Sequence, residues 1–171
     1  MIINTIYHQG FHMHPLLLFF FLILTAASCR QASSPLSAKE AKDIEQTVRQ
    51  TLADYNTAVK KEGLMAEFSF LDSSSSFFWV PPGYTTSLGY DSIRSIIQKN
   101  ASLFASVDNT WQSLKIIPLS KELANYTGRI HSVMKDTSGK INSFVLVETG
   151  LMIRRADGWK LLSGQTAVVA Q

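Results

Sequence analysis

The sequence predicts one α+β domain, with N-terminal amphipathic helices packed on one face of a curved antiparallel sheet. Three observations lead there. Apolar residues Ile44, Val48, Leu52, Tyr55 and Val59 recur at helical spacing early in the charged part of the chain. After Asn109 the apolar period changes to two, the alternation of half-buried strands. Turn signals at residues 118–121, 136–139 and 157–158 join the strand segments, and connections that short make neighbours antiparallel. Helices first and strands afterwards is the order of an α+β domain.

The elements follow in order. The chain has 171 residues, and all 13 acidic and 16 basic side chains fall after Ser28. The uncharged start holds an apolar run, residues 16–24, then Thr25-Ala26-Ala27-Ser28 and Cys29. A membrane-spanning helix takes about 20 mostly apolar residues, so residues 1–28 are expected to be a signal peptide with its cleavage zone. The order apolar run, small residues, cysteine resembles the lipobox of bacterial lipoproteins. That resemblance implies cleavage before Cys29, a lipid on Cys29 that anchors the chain to a membrane, and a place in the bacterial cell envelope. Without the lipid, the same leader predicts secretion. Residues 29–36 are short and polar, as suits the lipidated cysteine and a flexible tether, and residues 37–171 are the folded domain.

Ser37-Ala-Lys-Glu40 is a capping box, so a helix is expected from residue 38 to about 62, stopped by Gly63. Leu64, Met65, Phe68 and Leu71 suggest a second, shorter helix before the serine run at residues 73–76. Phe77-Phe78-Trp79-Val80 favours a strand, and Pro81-Pro82-Gly83 turns it into an expected hairpin. From Asp91 as N-cap, Ile93, Ile96, Ile97, Leu103 and Phe104 keep helical spacing and predict a second long helix. Strands are expected at residues 111–119, 123–135, 141–155 and 159–169.

This order of elements, with Phe77-Phe-Trp-Val-Pro-Pro-Gly83, Gly89-Tyr-Asp-Ser-Ile93 and Asp157-Gly-Trp-Lys-Leu-Leu-Ser-Gly-Gln165, resembles the nuclear transport factor 2-like superfamily, in particular its SnoaL-like branch. The resemblance implies a conical barrel whose helices and concave sheet enclose a pocket, and often a homodimer formed through the sheets. It implies no single activity, because the fold hosts isomerases, dehydratases, cyclases and binding modules.

Composition limits the function further. The chain is 46% hydrophobic and 17% charged, which is globular rather than disordered content. The net charge is +3 with no basic run longer than two, which gives no case for nucleic acid. One cysteine rules out an intrachain disulfide, and one histidine outside the leader cannot make a zinc site, so no metal or cofactor is expected.

The candidates for chemistry are few. Glu148 alternates in phase with Phe144, Leu146, Gly150 and Met152, while the opposite phase is also apolar, so its carboxyl is expected to be partly buried. It would then need a partner such as Arg129 or a raised pKa, and acid-base sites use such groups. Tyr55 lies on the first helix's apolar stripe and can present a phenol to a pocket. The resemblance aligns it with the oxyanion-stabilising tyrosine of ketosteroid isomerase relatives, but Val80 stands where their general-base aspartate would be. His131 shares a strand face with Asn125, Thr127 and Arg129 and is expected to face water. Trp79, Trp111, Tyr126 and Gln165 combine bulk with a polar tip and are expected to line a ligand pocket. With no convincing acid-base pair in view, the leading expectation is a lipid-anchored domain that binds a small apolar or aromatic molecule without catalysis. The alternatives are an isomerase, dehydratase or cyclase using Glu148 and Tyr55, and an interaction module docking through the sheet.

Overall fold

The computed structural model describes residues 35–169. The expected leader (residues 1–28), Cys29 and most of the tether lie outside the described residues. No helix among the described residues is long and apolar enough to cross a membrane.

Helix α1 (Ala38–Glu62) opens on the expected capping box. Ser37 Oγ accepts from the Glu40 amide at 3.2 Å, and Glu40 Oε2 accepts from the Ser37 amide at 2.9 Å. Gly63, at a φ of 83°, ends the helix in a backbone region that side chains disfavour. Ile44, Val48, Leu52, Asn56 and Val59 form the buried stripe. Tyr55 stands at its margin and is half-buried. The expected short helix is a 3-10 helix (Leu64–Ser69).

Strand β1 (Phe78–Val80) is followed by helix α2 (Tyr90–Ala101) and by β2 (Phe104–Pro118), β3 (Leu123–Asp136), β4 (Ile141–Arg155) and β5 (Gly158–Val168). They form one sheet in the order β1-β5-β4-β3-β2, with β2 to β5 an antiparallel meander. The core lies between α1 and the inner face of this sheet, where Val48, Leu52, Ala124, Tyr126 and Met152 are at most 1% exposed.

Several expected boundaries move. Residues 77–80 are expected to open a hairpin; β1 pairs parallel with β5, Trp79 opposite Gly164, and the returning chain adds only an isolated antiparallel bridge from Trp79 to Leu88 in place of a second strand. The second helix is capped at Gly89 rather than Asp91 and ends at Ala101. Leu103 is exposed, and Phe104, expected in the helix, begins a strand instead. Asn109, a polar residue on the inward face with Val107, and the extra residue Ala105 break the apolar alternation there.

Three irregularities in pairing decide which side chains face inward, the first between Phe104 and Ser106, where Ala105 is the extra residue on β2. Trp111 pairs with Ile130 and Ser113 with Arg129, leaving Gln112 as an extra residue on β2. Leu151 pairs with Ser163 and Met152 with Leu161, leaving Leu162 extra on β5. A bulge of this kind bends a strand and reverses its in-out phase beyond it.

Candidate functional site

A cavity of about 410 Å³ lies between the helices, the 3-10 segment, β1 and the concave sheet face. Most of its wall is apolar: Ile93, Ile96 and Ile97 come from α2, Phe144 and Leu146 from β4. The titratable side chains in the wall are Tyr55 from α1, Glu67 from the 3-10 helix and Glu148 from β4. No lysine, arginine or histidine is among the lining residues.

Glu148 is held at both oxygens. The Tyr126 hydroxyl donates to Oε1 at 2.7 Å, and the Thr166 hydroxyl donates to Oε2 at 3.0 Å. Trp79 Nε1 donates in turn to Thr166 Oγ1 at 3.2 Å. Two glycines make room for these aromatic groups. A Cβ on Gly150 would lie 2.7 Å from the Tyr126 ring, and one on Gly164 would lie 2.5 Å from the Trp79 ring. The aromatic side chains can therefore lie flat enough on the sheet to bring their polar tips toward one carboxylate.

Tyr55, Glu67 and Glu148 are each half-buried, and the surface they keep belongs to the cavity wall. Desolvation in this apolar setting disfavours the charged form of each. Glu67 is pushed up to about 7, first by burial and then by the charge of Glu148, while the neighbouring Tyr55 phenol opposes the rise. Glu148 is also raised by burial, with its Tyr126 and Thr166 donors opposing. Burial lifts the Tyr55 phenol well above its usual 10, aided by the negative charges of Glu67 and Glu148. Burial, with the charge of Glu148, lifts the Tyr126 phenol in the same way, so both tyrosines stay neutral and can donate. The result is two carboxyls in unequal surroundings: Glu148 with two good donors, and Glu67 titrating near neutrality. Such pairs divide acid and base roles between their members.

Comparisons with known proteins bear on the fold. No protein-family model and no curated protein sequence matches the chain. Among solved structures, the chain is similar to a scytalone dehydratase-like protein of Novosphingobium aromaticivorans, with a TM-score of 0.69, 9% identity, 78% of this chain and 89% of that one. A dehydratase-like protein of the NTF2-like family from Streptomyces avermitilis superposes at a TM-score of 0.66, with 15% identity, 77% of this chain and 99% of that one. The hexachlorocyclohexane dehydrochlorinase LinA-type3 of Novosphingobium barchaimii superposes at 0.62, with 13% identity, 78% of this chain and 92% of that one. The fold is nuclear transport factor 2-like. At these identities the likeness concerns the backbone alone, so the chemistry has to be argued from this chain's own residues.

Within the nuclear transport factor 2-like fold, the expected site residues separate into three groups. Tyr55, Trp79 and Glu148 line the cavity. Tyr126 and Trp111 stand behind the wall, their rings edge to face at 6.0 Å, and Tyr126 reaches the site only through Glu148. Gln165 is a correction: it is exposed on the outer face, and Thr166 lines the cavity instead. Counting by twos from Trp159 and Leu161 points Gln165 inward, but the extra residue Leu162 reverses the phase. Arg129 is exposed and takes no part in holding Glu148. His131 lies on the outer face, within 2.8 Å of Ser143 Oγ.

The residue that sequence reasoning missed is Glu67. A signal was present, because Glu67 is three positions after Leu64 and next to Phe68, on the apolar stripe of its own segment. Among the described residues there is no cluster of three or more metal-ligating side chains.

Proposed function

We propose that this domain takes a small, largely apolar molecule into the cavity and moves a proton on it, with Glu67 as the proton-transfer group. One observation carries the reading: Glu67, Glu148 and the Tyr55 phenol converge from three elements on one apolar cavity, where burial pushes Glu67 up to about 7. A group with a pKa near ambient pH is both available and reactive as base and as acid. As base, the Glu67 carboxylate takes a proton from a substrate carbon. The C–H electron pair then moves toward an adjacent electron-withdrawing group or expels a leaving group. Tyr55, a neutral phenol beside Glu67, can donate to the charge that develops. Glu148 and its donors fix the negative side of the cavity and keep Glu67 protonated more of the time.

The experiment is a screen for solvent-deuterium incorporation, or loss of water or halide, over a panel of small apolar carbonyl, alcohol and halogenated compounds, each with and without an ammonium group. Turnover that disappears in Glu67→Gln at unchanged melting temperature supports proton transfer. A panel that binds without any exchange or elimination would instead favour the simpler reading, a ligand carrier. That second reading draws on the apolar wall and on Val80, which stands where isomerase relatives are expected to hold a base.

We also propose that the domain works at the envelope surface, tethered by a lipid on Cys29. The support is the apolar run that ends in small residues at the chain's single cysteine. Mass measurement of the mature N-terminus tests it: a diacylated or triacylated Cys29 is the expected result, and an unmodified N-terminus or retained leader would end it.

A further inference from the structure

Deepening the reading of the cavity as a ligand site, we infer that its ligand carries a positive charge: a lipophilic ammonium compound rather than a neutral or anionic one. Two carboxyls from different elements, Glu67 and Glu148, face one largely apolar cavity. No element around that space brings a balancing positive charge into its wall. Helix α1 contributes Tyr55 and the 3-10 helix Glu67; β4 contributes Glu148, with Tyr126 of β3 behind it. The lining residues of β1, α2, β2 and β5 bring no titratable group. A pair of desolvated acids without a cation is unusual, since buried charges are normally paired. No lining residue supplies a counter-charge, so protonation is what balances the pair, as the raised Glu67 pKa reflects.

A ligand cation would replace that proton. The remaining wall suits such a guest, because Trp79, Tyr55, Phe104 and Phe144 supply aromatic surface, and aromatic rings attract organic cations. An anionic ligand would meet only like charge. The exchange also has a definite signature: binding a cation favours the ionised carboxylates, so a proton is released, and affinity rises as pH climbs through about 7.

The test uses three probes of similar size: benzyltrimethylammonium, its neutral carbon isostere neopentylbenzene, and phenylacetate. The quaternary ammonium keeps its charge at every pH, so any pH dependence belongs to the protein. Titration calorimetry at pH 8 should find the cation bound at least about tenfold more tightly than the isostere, the factor that one pKa unit of coupling represents. Phenylacetate should be weakest. The preference should shrink toward unity at pH 5.5 and in the Glu67→Gln, Glu148→Gln double variant, and heats in buffers of different ionisation enthalpy should report proton release. Equal affinity for cation and isostere, or a preference that survives the double variant, would overturn the inference while leaving the cavity a binding site. No binding of any probe to a folded protein would overturn both.

Discussion

The Tyr126 hydroxyl reaches Glu148 Oε1 at 2.7 Å because the residue paired with Tyr126 across the sheet is Gly150. The tyrosine is only 1% exposed, and its ring lies where a side chain on residue 150 would be. Gly150→Ala would therefore push a methyl group against a rigid ring that has no room to retreat. Overpacking of this kind costs about 1–3 kcal/mol. Chemical denaturation should find a loss in that range, and Glu148 should titrate higher as its donor is displaced. Tyr126→Phe separates the two effects, since it removes the donor and leaves the packing.

Stability should fall as pH rises through neutrality. In the folded protein Glu67 titrates at about 7, whereas its ordinary value is 4.5. A folded pKa above the unfolded one stabilises the protonated state, so that contribution is complete below about pH 4.5 and is lost as pH rises to about 7. At 1.4 kcal/mol per unit the loss is on the order of 3 kcal/mol, reduced by whatever water in the cavity screens the carboxylate. Glu148 acts in the same direction, so Glu67→Gln should flatten most of the slope between pH 5 and 8 without removing all of it. Urea denaturation of the two proteins over that range checks this, and parallel curves would show that Glu67 is solvated.

The sequence was most legible where one local rule acts alone. Ser37 and Glu40 cap α1 through bonds that span only three residues, and β4 keeps an unbroken alternation from Phe144 to Met152, so both were readable. With both phases of β4 apolar, the sequence predicts partial burial for Glu148, and the paired sheet decides that it faces the cavity. Gln165 was misplaced because Leu162 inserts a bulge, and a bulge is set by pairing with β4 rather than by any residue of β5 itself. Glu67 became visible only when the 3-10 helix was brought against Tyr55 and Glu148, residues 12 and 81 positions away. A site assembled from such distant segments leaves little trace in any one of them. Trp79 and Thr166 teach the same lesson, since their contact requires the parallel β1–β5 pairing in place of the expected hairpin.

The placement of Glu67 depends on an ion pair at the other side of its segment. Asp72, whose side chain is 6% exposed, accepts from Arg155 Nε at 2.8 Å and from Nη2 at 2.9 Å, and Ser74 donates to it as well. The backbone on each side is tied to β5, with Asp72 N to Leu161 O at 2.8 Å and Leu161 N to Phe70 O at 2.7 Å. Arg155 therefore anchors the chain that leaves the 3-10 helix. Arg155→Met would strand a buried carboxylate, at a cost of about 3 kcal/mol by the behaviour of broken buried pairs. The Arg155 partnership holds Asp72 below its ordinary 3.8, so its contribution is present above that value and is lost as pH falls further. The wild type and Arg155→Met should accordingly differ strongly at pH 7 and converge as pH falls well below 3.8. A difference that persists in acid would point to lost packing of the arginine stem instead of lost charge.

Thr166 links Trp79 to Glu148, and its removal should be felt at the carboxylate. In Thr166→Val, Oε2 loses its donor and Trp79 Nε1 loses its acceptor, while the side-chain volume is nearly kept. Leaving such groups without partners costs about 1–3 kcal/mol. Because the threonine hydroxyl favours the ionised form of Glu148, its loss should raise the Glu148 pKa further, and Thr166→Ser should restore it. Carbon-detected NMR titration of the glutamate carboxyls reads this directly. With Glu148 less often charged, the repulsion on Glu67 weakens, so the Glu67 midpoint should move down from about 7 in the same spectra. Opposite displacements of the two midpoints are the signature of a coupled pair. A Glu67 midpoint that stays fixed while Glu148 rises would show that the two carboxyls titrate independently, and would leave burial alone to account for the Glu67 value.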